Sequence, residues 1–377
     1  MQTELKDPPQ ARLEADIARL RTLFDSGQFQ EAREAAQSLL LQLPRNRDVL
    51  YLLAVSQRRT RRTAEAFQTL KLLKDAHPRY GRLFQELGFC YLAENAVTPA
   101  IQVFERAVAL NTCLVDSWKT LQGLYRTRGA QAASEAAGDQ AQQLSALPEP
   151  IRRACEKYFD GETGLAEELV RGYLSVHGEH VEALRLLAKI AGDAGAEYDA
   201  ELMLQRAVLL APASEQARRE LVQLLLMRHK HLEARTITAE LMREQPQEPA
   251  FQGLFAAAAA GMGDYDTALP IFRALLQRTP DDPQLLLAYG NALKTTGETT
   301  AAIACLRHLA AQPGVCGEGL WALSDLKTYR FSDQELAQLQ RLTQSPGVQL
   351  TERYQACFAL GKALEDRAEY AEAFRSY

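Results

Sequence analysis

Residues 81–114 read GRLFQELGFCYLAENAVTPAIQVFERAVALNTCL. Phe84, Leu87, Gly88 and Tyr91 recur at i, i+3, i+4 and i+7, one face of a helix. Ala100, Phe104 and Ala107 form a second stripe, and Glu94–Thr98 lies between the two as a turn. Small residues at Gly88 and Ala100 let two antiparallel helices approach closely, with the larger side chains filling the space around them. A helix pair of this kind cannot cover its own apolar face, so it must stack on a neighbour.

The neighbours are visible in the sequence. Pro44 and Pro78 lie 34 residues apart, and Pro212, Pro246 and Pro280 repeat that step. Alanines keep the same interval at Ala32, Ala66 and Ala100, then at Ala166, Ala200, Ala234, Ala268 and Ala302. Repeat units start at Leu13, Arg47, Gly81 and Val115. The register then slips by two residues and resumes at Leu147, Val181, Glu215, Pro249 and Pro283. A 34-residue helical period resembles the tetratricopeptide repeat (TPR) family. The resemblance covers nearly the whole chain and implies an all-α, right-handed α-solenoid of antiparallel helix pairs.

The expected division is a leader over 1–12, four units over 13–146, five over 147–316, an irregular helical connector over 317–353 and a partial unit over 354–377. The weakest joint is expected between Gln131 and Pro150, where AQAASEAAGDQ loses the pattern. Ser332 with Glu335 three residues later reads as a capping box opening a helix at Asp333. The partial unit stops at Tyr377 inside its second helix, so a longer native protein is expected.

A narrower resemblance lies near the end. LSDLKTYRFSDQEL at Leu323–Leu336 and FALGKALEDRAEYAEAFRSY at Phe358–Tyr377 resemble the segment that joins repeats to catalytic domain in bacterial TPR-sulfotransferases. That resemblance implies a downstream domain taking sulfate from 3′-phosphoadenosine 5′-phosphosulfate (PAPS). The family's Pro-Arg-Ser-Gly-type phosphate loop is absent, since Pro44-Arg45-Asn46 and Pro78-Arg79-Tyr80 lack the Ser-Gly. No catalytic or cofactor residue of that family falls on this chain, and PAPS is expected only with such a domain. The chain would then be the recognition half.

Composition sets the outer limits. Hydrophobic residues are 47% and charged residues 24%, ordinary for a folded globular chain. A net charge of −5 argues against a surface built for nucleic acid. Leu254–Gly263 is the longest stretch without a strongly polar residue, far short of the roughly 20 residues a membrane span needs. The N-terminus carries no apolar run behind a basic start, so a cytoplasmic protein is expected. Six cysteines without a C-x-x-C pair read as small buried hydrophobes in a reducing compartment.

Enzymatic signals are weak. Gly261-Met262-Gly263 has no third glycine and falls where a repeat turns. His229 with His231, and His177 with His180, fall in expected turns without the companions of a metal site. Neither a catalytic site nor a metal site is expected.

A binding groove is more readable. TPR proteins resembling this one bind extended peptides along the first helix of each repeat. The corresponding positions are Tyr51, Val55, Arg58 and Arg59, then Arg82, Gln85 and Phe89, followed by Lys119 and Arg126. Arg185, Lys189, Asn291 and Lys294 continue the series. Repeat 47–80 carries eight Lys or Arg against three acids, which either marks a site for an acidic partner or is a solvated turn at QRRTRRT. With aromatic interleaving, the expected partner is a protein or peptide of acidic character. The Lys/Asn carboxylate clamp of chaperone-binding TPRs does not match. Nor does the asparagine ladder of O-GlcNAc transferase, whose positions hold Leu52, Glu86, Thr120, Leu186 and Leu254 here.

Overall fold

The computed structural model describes residues 9–345 and 347–377, and every regular element among them is a helix. The N-terminal body runs through Ala194 and the C-terminal body starts at Gly195. In the first lie α1 (Pro9–Asp25), α2 (Phe29–Leu40), α3 (Arg47–Arg59), α4 (Thr63–Ala76), α5 (Gly81–Ala93) and α6 (Val97–Leu110). These are followed by α7 (Val115–Thr127), α8 (Gln131–Ala146), α9 (Glu149–Phe159), α10 (Thr163–His177) and α11 (Val181–Asp193). The C-terminal body holds α12 (Glu197–Leu210), α13 (Glu215–Met227), α14 (His231–Glu244), α15 (Pro249–Gly261), α16 (Tyr265–Arg278) and α17 (Pro283–Thr296). It ends with α18 (Thr299–Ala310), α19 (Cys316–Ser324), α20 (Asp333–Gln344), α21 (Leu350–Glu365) and α22 (Tyr370–Ser376). Pro9–Arg12, read as leader, open α1, while residues 1–8 of that stretch lie outside the described residues.

Local chemistry explains the boundaries. Asn46, Ser214, Asp264 and Asp282 each accept a hydrogen bond from an amide three residues on, at 3.0 to 3.3 Å, and so cap α3, α13, α16 and α17. Pro249 and Pro283 occupy first-turn positions, where no amide donor is needed. The helices α3, α5, α7, α9, α13, α15 and α17 each end on one left-handed residue: Arg61, Asn95, Gly129, Gly161, His229, Gly263 and Gly297. The amide after it reaches back to a carbonyl five residues earlier, as in Arg62 N to Gln57 O and Ala96 N to Tyr91 O, both 2.8 Å. One left-handed step reverses the chain, so the second helix lies antiparallel to the first.

Between α5 and α6 the approach is close. A Cβ on Gly88 would come within 2.6 Å of the Phe104 ring, and Phe104 is fully buried. Ala32, Ala66, Ala100, Ala166, Ala200, Ala234, Ala268 and Ala302, picked out by their spacing, are all buried. This is the α-solenoid of TPR proteins.

Segment 317–353 packs into a core that it shares with the helices on either side. Leu320, Leu323 and Leu326 face inward together with Tyr329 and Phe331, and they share one hydrophobic cluster with α18, α21 and α22. Ser332 and Glu335 close the expected capping box on α20.

Candidate peptide-binding groove

In the N-terminal body the expected groove cations stand on α3, α5, α7 and α11. Arg58 Nε donates to Glu86 Oε2 at 2.7 Å, and its guanidinium lies 4.9 Å from the Phe89 ring centre. Burial pushes the Glu86 carboxyl up, against the pull of Arg58. Phe89 in turn packs edge-on against Phe104 at 5.1 Å. Arg59 is exposed and lies over Phe29 at 5.8 Å. Tyr51 packs edge-on against Tyr80 at 5.7 Å, and burial raises both phenols.

The first turns of α3 and α5 are covered by another part of the chain. Arg82 Nε donates to Asp160 Oδ2 at 2.6 Å, and Arg82 Nη2 donates to Glu156 Oε2 at 2.7 Å. Arg47 donates to Glu162 Oε1 at 2.8 Å and also to the carbonyl of Asp160. Asn111, before α7, donates through Nδ2 to Asp160 Oδ1 at 3.2 Å and to the Glu156 carbonyl at 3.3 Å. All three acids belong to α9 and the turn after it. The Asp160 side chain is 2% exposed, and burial drives its carboxyl upward while Arg82 pulls it down. A cavity of about 160 Å³ remains beside this seam, lined among others by Tyr51, Tyr80, Arg82 and Lys157. Cys113 and Cys155 are disulfide-bonded across it.

Arg58 and Arg82, expected in the groove, are each paired with internal carboxylates. One expectation is corrected. Cys113 and Cys155 are not two more buried apolar side chains but a covalent link. Glu156, Asp160 and Glu162 lie 74 to 115 residues from Arg82 and Arg47, beyond the reach of any repeat register. The two-residue slip before Leu147, followed by Glu156, Asp160 and Glu162 in one unit, is the trace that α9 leaves in the sequence.

The remaining positions differ among themselves. Lys119 and Arg126 are exposed on α7. Arg185 is buried on α11 and paired with Glu182, while Lys189 lies 5.6 Å from the Tyr158 ring. In the C-terminal body Asn291 is half-buried on α17, and Lys294 Nζ reaches Asp325 Oδ2 at 3.4 Å. Among the described residues no three His, Cys, Asp or Glu side chains could hold a metal together, and no helix is long and apolar enough to cross a membrane.

Two family models described as tetratricopeptide repeat match the sequence, one over residues 17–81 and one over 180–312, together just over half of it. The chain belongs to the tetratricopeptide repeat family. Solved structures similar to this TPR chain include MamA of strain AMB-1, 16% identical over 42% of this chain and 94% of that one, with a TM-score of 0.36. The Cut9–Hcn1 hetero-tetramer of the APC/C is 16% identical over 70% of this chain and 52% of that one, at 0.36. A TPR protein from Parabacteroides merdae is 14% identical over 74% of this chain and 98% of that one, at 0.33. No curated protein matches the sequence.

Proposed function

We propose that this TPR chain is a non-catalytic scaffold whose concave face in the N-terminal body holds an acidic segment of a protein partner. One observation carries the reading: that face already binds carboxylates, those of Glu156, Asp160 and Glu162, through Arg47 and Arg82. Arg59, Lys119 and Arg126 are exposed cations on α3 and α7, with Phe89 between them in sequence. The setting proposed is cytoplasmic, in a stand-alone adaptor. The test is a fluorescence-anisotropy titration of an acidic peptide into the full chain and into the triple variant Arg59→Glu, Lys119→Glu, Arg126→Glu. Three exposed charge contacts at about 0.5 kcal/mol each weaken binding about tenfold and flatten its salt dependence. Unchanged affinity in the triple variant overturns the reading.

The resemblance of 323–336 and 358–377 to the joining segment of TPR-sulfotransferases favours a second reading, in which the scaffold presents substrates to a PAPS-dependent sulfotransferase. Transfer of labelled sulfate from PAPS to protein acceptors by the native protein tests it, and no transfer sinks it.

A further inference from the structure

A solenoid repeat ordinarily touches only its neighbours. Here α9 reaches back past α7 and α8 to the starts of α3 and α5. What it places there includes three carboxylates: Glu156 and Asp160 on Arg82, Glu162 on Arg47, Asp160 on Asn111. Lys157 and Arg152 balance the outer edges, on Glu162 and Glu156. An ion-paired seam of this sort is weak compared with a packed apolar one, because each charge gives up water to join it. The disulfide lies in the same seam. Cys155 directly precedes Glu156, and Cys113 lies two residues after Asn111.

We propose that the Arg47–Arg82–Asn111 face is a receptor for a partner helix that ends in carboxylates at i, i+4 and i+6. The end of α9 is its stand-in within the chain, and the Cys113–Cys155 bond latches that stand-in in place. The proposal rests on the acid-binding reading given above and extends it to a second, closed part of the same face.

The physical case is competition. A segment tethered to its own receptor acts at an effective concentration in the millimolar range, and a covalent bond across the seam removes the open state altogether. An outside helix then sees its affinity reduced by the fraction of receptor left open. Reduction restores that open fraction. A dithiol attacks the half-buried Cys155 Sγ, since Cys113 is buried. The S–S bond breaks, Cys113 leaves as a thiolate and takes up a proton, and the second thiol of the reductant resolves the mixed disulfide. The reductant departs as a cyclic disulfide, and Cys113 and Cys155 end as two thiols. Wherever the surroundings are reducing, a disulfide is a transient regulatory bond rather than a permanent staple.

The test uses the full chain and two labelled peptides spanning residues 149–163, both with Cys155→Ser to block exchange. The first keeps the acids; the second carries Glu156→Gln, Asp160→Asn and Glu162→Gln. Affinities are measured by anisotropy before and after treatment with a dithiol, with thiol titration confirming reduction. Cys90, Cys305, Cys316 and Cys357 are already free, so reduction changes one bond. The expected result is binding of the acidic probe at least about tenfold tighter to the reduced chain, with no such gain for the neutral probe. Equal affinity for both redox forms overturns the latch. If the acidic probe binds both forms equally and the Arg59, Lys119 and Arg126 variant weakens it, the scaffold reading survives without the latch. Binding to neither form overturns both.

Discussion

Replacing Arg82 by methionine should cost the N-terminal body about 3 kcal/mol at pH 7. The side chain holds two carboxylates, at 2.6 Å to Asp160 and 2.7 Å to Glu156, and the Asp160 side chain is only 2% exposed. Glu156 keeps Arg152 at 3.0 Å, so its charge stays answered after the substitution. Asp160 keeps the Asn111 amide and the more distant pull of Lys157 and Arg47, which is less than an ion pair. Its cheapest response is to take up a proton. For a carboxyl of ordinary pKa near 3.9, that costs about 4 kcal/mol at pH 7, an upper bound that the remaining neighbours reduce to about 3. The sign with pH follows. Without Arg82 the folded-state pKa of Asp160 lies further above its unfolded value. The stability this group contributes is full below the unfolded pKa and lost as pH rises through the folded one. The penalty of Arg82→Met therefore shrinks as the solution is acidified, to about 1.5 kcal/mol or less at pH 5. Urea unfolding followed by circular dichroism, at pH 7 and pH 5, measures both values. The double variant Arg82→Met/Asp160→Asn should regain all but about 1 kcal/mol of the loss at pH 7. A loss that is the same at both pH values, or undiminished in the double variant, would refute the buried-charge account.

The glycines of α5 and α7 should respond in opposite directions to the same change. Gly88→Ala drives a methyl into the Phe104 ring and should lose about 1–2 kcal/mol after the helical preference of alanine is counted. Gly123→Ala meets nothing within 4 Å and should gain about 0.5–1 kcal/mol, so thermal melts of the two variants should move apart. Ser332→Ala removes the hydroxyl that caps α20 and should lower stability by about 1 kcal/mol, seen as an earlier unfolding transition of the C-terminal body.

The repeat was legible because its physics is local. Gly88 faces Phe104 and Ala100 is buried at the same crossing because both lie at fixed offsets within one helix pair, which the period displays. The groove was half legible for the same reason. Register alone placed Tyr51, Arg58, Arg59 and Arg82 on α3 and α5. Register could not say which charges were already matched. Arg58 meets Glu86 on the first helix of the next repeat. Arg82 and Arg47 meet acids on and just after a helix that leaves the repeat frame, and the slip before Leu147 marks that helix without naming its partners. The Cys113–Cys155 link was hidden likewise, since its two ends lie 42 residues apart with no motif between them.

The return of α9 onto α3 and α5 also alters how this body comes apart. A chain of stacked hairpins peels from its ends, each pair giving way without consulting those farther along. With α9 fastened to Arg47 and Arg82, the hairpins between form a closed ring of contacts, and none of them can fray without either breaking that fastening or carrying it along. Under mechanical pull such a ring holds its extension and then surrenders it in a single long step. The N-terminal body thus behaves less like a string of beads than like a buckled strap.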